Sequence, residues 1–258
     1  MSTVWDPARY LDFDDHRSRP FHDLLARVGA PASGAGAPRR VVDLGCGPGH
    51  LTRVLTARWP AAAVTALDSS AEMVAAARAE GVPAEQFDVR DWKPGPDTDV
   101  VISNAVLHWV PEHVHLLPRW VAALPGGAWF ALQVPGNFAA PSHELVRALL
   151  DEPGWRGAVD LRDGTAALDP AGYAGLLAPA CPAVDAWETT YLHRLTGEDP
   201  VLAWISSTTL RPVRDALPEP DYRRFRAELA PRLRAAYPAR PDGSTWYPFR
   251  RVFAVARR

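Results

Sequence analysis

Between residues 38 and 136 the chain alternates short apolar runs with amphipathic stretches, bounded by glycine, proline or small polar residues. Arg40 to Leu44 is a β-branched run halted by glycines, the pattern of a buried strand. Residues 51–59 carry helical periodicity and stop at Pro60, and 63–67 form a second strand pattern. A helix over 70–78 follows, with Ser70 as its N-cap and Gly81 as its terminator. Further strand patterns lie at 84–87, 99–103 and 128–134, with a helix at 114–124 between the last two. Such alternation predicts a parallel sheet buried by helices on both faces.

Upstream, Phe21, Leu24, Leu25 and Val28 mark one face of a helix, and residues 31–38 form a small-residue loop. Beyond 136 the regularity fades. Residues 136–182 hold one helix, near 143–150, among turn-rich stretches. A strand pattern returns at 187–195, residues 198–238 read as helical with breaks at Pro212, Pro218 and Pro220, and a last apolar strand lies within 246–256. The predicted architecture is a single α/β domain over residues 1–258, a doubly wound, mostly parallel sheet. Its core spans about 38–136, with late strands at about 186–195 and 246–257 and helical additions at 1–30, about 137–185 and about 197–240.

Composition narrows the classes of function. The 258 residues carry 28 Lys+Arg against 30 Asp+Glu, a formal charge of −2. That balance argues against nucleic acid as a partner, which calls for a basic excess. Lys93 is the one lysine, so the available cations are almost all arginines, whose planar fork suits carboxylates. No apolar run is long enough to span a bilayer, and the first residues lack the basic and apolar regions of a signal peptide. Cys46 and Cys181 sit in no spaced motif, so neither a disulfide framework nor a metal site is expected, and a reducing cytoplasm fits.

The strongest chemical signal is Val41-Val42-Asp43-Leu44-Gly45-Cys46-Gly47-Pro48-Gly49, which leaves a predicted strand and opens a predicted helix. A dinucleotide loop reads G-x-G-x-x-G and lays a pyrophosphate on the helix N-terminus. Here the spacing is G-x-G-x-G, Pro48 removes one N–H from the turn, and Asp43 adds a charge that repels phosphate. A cationic ligand without phosphate fits better. S-adenosylmethionine is one, with its amino group, sulfonium and adenosine. Asp43 can help hold the amino group, while Gly45, Cys46, Gly47 and Gly49 bring the backbone close. Asp68, with Ser69 beside it, ends the second strand where an acid takes ribose hydroxyls. Asp88 and Val89 close the third strand, where Asp88 can accept from the adenine amine, and Asn104 closes the fourth. All lie at or near carboxyl ends of strands, where open α/β sheets bind ligands.

These motifs (Asp43 to Gly49, Leu67-Asp68-Ser69-Ser70 with Met73, and Ser103-Asn104-Ala105 with Leu107 and Trp109) resemble the class I S-adenosylmethionine-dependent methyltransferases. Outside the core, Trp5-Asp6-Pro7, Tyr10-Leu11, Arg17-Ser18-Arg19-Pro20, residues 187–193, Leu210-Arg211-Pro212 and residues 251–258 resemble the trans-aconitate 2-methyltransferase family. The resemblance runs from about residue 4 to the C-terminus. It implies a Rossmann-like sheet of seven strands with the last antiparallel, a helical cap over the cofactor, and methyl transfer to one carboxylate of trans-aconitate, giving a monomethyl ester and S-adenosylhomocysteine. This chain carries His108 where the family often has Gln, and 136–185 matches more loosely.

A carboxylate of pKa about 4 is already ionised at neutral pH, so its attack on a methyl group needs no general base. Alignment is the enzyme's task and supplies roughly 7–11 kcal/mol. A tricarboxylate calls for cations and donors. The candidates are Arg19, Arg211, His193, Tyr191, Tyr10 and His108, with Trp109 shaping the pocket. Each also has an ordinary reading. Arg17 and Arg19 suit a solvated surface, or the carboxylate of the cofactor's methionine. Tyr191 and His193 suit packing on one strand face, and His108 a core histidine. His113 and His115 are two apart on a helix and diverge, and the arginines of 223–234 read as a solvated helix face. Three alternatives remain open. Another acid, phenol, amine or specialised metabolite would be the acceptor of an O- or N-methyl transfer, with His108 or His193 as base where one is needed. A nicotinamide dehydrogenase is disfavoured by the glycine spacing and Pro48, and a non-catalytic cofactor-binding protein by the intact loop.

Overall fold

The computed structural model describes residues 14–30, 36–159 and 167–258, and of residues 14–17 the backbone alone. Helix α1 (Asp14–Leu25) precedes strand β1 (Arg40–Leu44), α2 (His50–Arg58), β2 (Ala63–Asp68), α3 (Ala71–Ala79) and β3 (Ala84–Gln86). Then come β4 (Thr98–Asn104), α4 (His113–Ala123), β5 (Trp129–Pro135), α5 (Pro141–Leu150), α6 (Pro170–Leu177) and β6 (Ala183–Leu195). The chain ends with α7 (Pro200–Ser206), α8 (Arg211–Ala216), α9 (Glu219–Ala236) and β7 (Thr245–Arg257).

The strands form one seven-stranded sheet in the order β3-β2-β1-β4-β5-β7-β6. β1 pairs in parallel with β2 and β4, β2 with β3, and β4 with β5, whereas β7 runs antiparallel to β5. This is the doubly wound, mostly parallel α/β sheet expected from the alternating pattern. From β1 the chain winds outward to β2 and β3, then returns to the other side for β4 and β5. The switch point therefore lies between β1 and β4, where such sheets bind ligands.

The described residues fall into two compact units. One takes the stretches up to 135, 166–189 and 251–258; the other takes 136–165 and 190–250. In the first, Val42, Leu44, Val101, Phe130, Leu132 and Val134 project from one sheet face onto Trp92, Leu117, Trp120, Tyr173 and Leu177. Trp92 and Trp120 meet edge to face at 5.4 Å, and the Trp120 indole N–H donates to the Trp92 carbonyl at 3.0 Å. In the second, Tyr222, Phe225, Leu229 and Leu233 are the buried stripe of α9.

Two local expectations change. Residues 170–177, for which the sequence pattern predicts no element, form helix α6, because Asp169 caps the Gly172 N–H at 2.7 Å and Pro170 sits in the first turn, where it loses no hydrogen bond. Burial of Tyr173 and Leu177 outweighs the low helix propensity of Gly172 and Gly175. The arginines of α9 are not simply solvated: Arg232 holds Glu152, Arg234 holds Asp199 at 2.7 Å, and Arg224 lies 4.3 Å over Trp155. No helix among the described residues is long and apolar enough to cross a membrane.

Helix α6 is pinned to α4 by His113, which is fully buried. One ring nitrogen lies 2.7 Å from the Val110 carbonyl and the other 3.1 Å from the Tyr173 hydroxyl. Tyr173→Phe should therefore destabilise the protein by about 1–3 kcal/mol, since it strands a buried nitrogen. Urea unfolding measures this, with cofactor affinity expected to be unchanged.

Candidate functional site

The loop after β1 is held from below by β2. The Gly45 and Cys46 N–H groups both donate to the Leu67 carbonyl, at 2.7 and 2.9 Å. Asp68 then takes the Gly47 N–H on one carboxylate oxygen and the Ser70 N–H on the other, each at 2.9 Å. Ser70 in turn caps α3 through the Met73 N–H, as expected from its position. Ser69 is exposed beside it and accepts from the Gln86 side chain at 3.2 Å.

The loop glycines have different causes. An added Cβ at Gly45 would lie 2.1 Å from a Val106 methyl, so the segment following β4 packs directly on the loop. At Gly47 the backbone is left-handed (φ 55°), and an added Cβ would meet nothing within 4 Å. Protein packing therefore does not require Gly47 to lack a side chain. A ligand approaching the backbone closely would require it.

Asp43 is buried on β1, where the Thr52 hydroxyl of α2 donates to it at 2.7 Å. Burial raises its pKa to about 6, the Thr52 bond opposes the shift, and the nearby Asp68 charge adds to it. Asp68 is also pushed up by burial. Two interacting acids whose charged forms are disfavoured by burial form a site that gains from a cationic ligand. Asp88 and Val89 follow β3, joined to β2 by the Phe87 N–H on the Asp68 carbonyl at 2.8 Å. Asp88 caps the turn Val89–Asp91, and the Arg90 guanidinium on it holds its carboxyl below the usual range. Its oxygens are thus already engaged, and an adenine amine would have to share them. Asp43, Gly45, Cys46, Gly47, Gly49, Asp68, Ser69, Asp88, Val89 and Asn104 all fall within one unit.

The acceptor candidates do not form one group. Tyr10 lies outside the described residues. Arg19 is exposed on α1. His108 and Trp109 occupy a short turn after β4, half-buried, with ring centres 4.9 Å apart. In the other unit, Tyr191 and His193 are buried on β6 with nearly parallel rings, and His193 stacks 4.8 Å from Trp204. Arg211 opens α8, its side chain mostly buried and 3.8 Å from Asp215.

Sequence reasoning passed over two features. The helical unit contains a cavity of about 700 Å³ lined by Asn137, Tyr237, Arg240, Trp246 and Arg250 among others, with two arginines and no acidic residue. Such walls attract an anion. Its residues come from four separate stretches, so no motif announces it. The other is Gln133 on β5, fully buried, whose side-chain nitrogen has no hydrogen-bond partner among the described residues. A lone polar residue in the run Trp129–Pro135 was the available signal.

The two glycines should respond differently to alanine. Gly47→Ala should cost about 1–2 kcal/mol of left-handed strain, and should weaken cofactor binding beyond that loss. Gly45→Ala should add about 1–3 kcal/mol of overpacking against Val106. Urea unfolding and calorimetric titration of S-adenosylmethionine check both, and full affinity in Gly47→Ala would remove Gly47 from the site.

Comparison with known proteins bears on this geometry. A family model described as a methyltransferase domain matches residues 13–172. A protein of Rhodococcus jostii named trans-aconitate 2-methyltransferase is 61% identical over 98% of this chain and 99% of its own. Proteins of the same name from Mycolicibacterium gilvum and Mycobacterium tuberculosis are 60% and 57% identical, each over 98% of this chain and over 99% and 96% of their own. Among solved structures, the YcgJ protein of Bacillus subtilis shares the fold with a TM-score of 0.56 at 15% identity, over 94% of this chain and 98% of that one. A phosphoethanolamine N-methyltransferase of Haemonchus contortus, solved with S-adenosylhomocysteine, does so at 0.54 and 14%, over 93% of this chain and 52% of its own. With full-length identity of this order, the chain belongs to the trans-aconitate 2-methyltransferase family of class I methyltransferases.

Proposed function

We propose that this protein transfers the methyl group of S-adenosyl-L-methionine to a carboxylate oxygen of trans-aconitate, giving the monomethyl ester. The observation that carries this reading is the 61% identity along 98% of the chain to a relative of that name. The cofactor, when bound, supplies an electrophilic methyl group on a sulfonium. Asp43, the backbone of Gly45, Cys46, Gly47 and Gly49, Asp68 with Ser69, Asp88 with Val89, and Asn104 would hold it. Asp43 and Asp68 complement its positive end, and Gly47 gives its backbone room.

The acceptor arrives already ionised, so no residue has to remove a proton. Arg19, Arg211, Tyr10, Tyr191, His193 and His108 would bind and orient it, with Trp109 as a wall. In this reading the whole chain is one working domain. Residues 38–136 and the late strands form its core, and 1–30, 137–185 and 197–240 form its cap. The partner is a small polycarboxylic acid rather than nucleic acid or membrane, and the setting is the cytoplasm.

Labelled cofactor and trans-aconitate should yield a base-labile methyl ester. Transfer to no di- or tricarboxylic acid would sink the reading and favour another metabolite as acceptor. At saturating cofactor the rate should be flat above about pH 6, because the acceptor stays ionised. A basic limb lost on His108→Ala or His193→Ala would instead point to an acceptor that needs a base.

Asp43 adds a second pH effect. Its folded pKa of about 6 exceeds the unfolded value, so the native state takes up a proton first as pH falls. This contribution favours folding at pH 5 over pH 7.5. Asp43→Asn should therefore raise the melting temperature of the ligand-free protein more at pH 7.5 than at pH 5, while weakening cofactor binding. Thermal unfolding at the two pH values, with and without cofactor, measures both.

A further inference from the structure

Two side chains at the carboxyl ends of β4 and β5 pose a hydrogen-bonding problem that the fold does not solve. Asn104 and Gln133 are register partners on these parallel strands and so share one face of the sheet. Both carry a buried amide atom without a partner among the described residues, Oδ1 of Asn104 and Nε2 of Gln133. Gln133 is 1% exposed. A buried amide donor left unmet costs free energy, so such groups call for an explanation.

The backbone around the pair is also strained. Ala105 is the one non-glycine residue with a left-handed backbone among those described (φ 58°), and its N–H donates to the Gln133 carbonyl at 2.8 Å. Such strain is retained where the surroundings enforce it, commonly at ligand sites. One residue on, Val106 packs against Gly45 of the glycine loop. Across the sheet from β1 to β5 the loop, Asn104 and Gln133 thus stand in sequence. On the far side of Gln133, its β7 partner Phe253 stacks flat on Trp187 at 4.7 Å.

The two unmet atoms have opposite sense, and that sorts the ligands. An oxygen that can only accept suits the N–H groups of the cofactor's cationic amino group. A nitrogen that can only donate suits a carboxylate oxygen. Gln133 also sits one strand farther from the loop than Asn104, and beside an aromatic pair suited to a flat, unsaturated acid. We infer that Gln133 is a binding residue for the acceptor, its side-chain N–H donating to a carboxylate oxygen and so positioning the acid for methyl transfer. The inference rests on the proposed carboxyl methyl transfer.

The test uses Gln133→Met, which keeps the volume and removes the donor, and Gln133→Glu, which replaces the donor by an anion. Steady-state kinetics with trans-aconitate is combined with calorimetric titration of the cofactor. With a donor to a charged group lost, kcat/KM should fall about 10- to 100-fold in Gln133→Met with the cofactor Kd unchanged. Gln133→Glu should lose more at pH 8 and recover partly near pH 6, because the introduced buried carboxyl becomes protonated and can donate again. A purely structural role would not produce that recovery. Unchanged kcat/KM in both variants overturns the inference. So does loss of cofactor binding in both, which would make Gln133 a part of the fold. A wild type inactive on trans-aconitate overturns the functional reading and this inference together, whereas an active wild type with unaffected variants overturns this inference alone.

Discussion

The Asp68 carboxylate is the fastening on which the site depends. One oxygen takes the N–H of Gly47 and the other the N–H of Ser70, so a single side chain fixes the glycine loop and the start of α3 together. The Leu67 carbonyl beneath it takes two more N–H groups of the loop. Without these bonds the left-handed turns at Gly45 and Gly47 would have little to hold them, because loop backbone needs partners for its polar groups. The same carboxylate also sets the electrostatics. It lies close enough to Asp43 to help raise the pKa of that buried acid, and it resists ionisation itself.

Such an arrangement is poor for stability and good for binding a cation. The buried Asp43 and the half-buried Asp68 repel each other, and although Thr52 donates to the first and the Gly47 and Ser70 N–H groups to the second, burial still disfavours both charges. A positively charged ligand would relieve both at once. The strain at Ala105 and the unmet amide atoms of Asn104 and Gln133 belong to the same kind of cost. All sit along the carboxyl ends of β1, β2, β4 and β5, whereas the opposite face of the sheet is a conventional apolar core of Val, Leu, Phe and Trp. Destabilising features concentrated at the carboxyl ends of the strands of an otherwise well-packed sheet are expected where structure is given up for function.

The candidate site was legible in part. Asp43, the glycines and Asp68 could be named from the sequence because each lies within a few residues of a strand end, and strand ends follow from local periodicity. Ser70 could be identified as a cap for the same reason. Asp88 shows the limit of that reasoning: its place after β3 was visible, but its engagement with Arg90 depends on the turn it caps. Tyr191 and His193 were candidates for binding the acid, with packing on one strand face as their ordinary reading, and they lie in an aromatic cluster with Trp204 and Phe249. Alternation on a strand shows that two residues share a face but does not say what covers it. Helix α6 was missed because its glycines and flanking turns mimic a loop, and long-range burial of Tyr173 and Leu177 decides it.

The amino-acid sequence by itself determined the alternation of strands and helices, the spacing of the glycine loop, the acids at the strand ends and a stock of cations made almost wholly of arginine. Each of these depends on neighbours a few positions away. Only the tertiary structure decided which polar atoms found partners. Asp68 reaches back 21 residues to Gly47, and Asn104 meets Gln133 only because β5 lies beside β4. Strand order sets these meetings, and it is fixed by packing over the whole core. The satisfaction of a buried donor or acceptor, and so the chemistry left for a ligand, is therefore a property of the assembled fold.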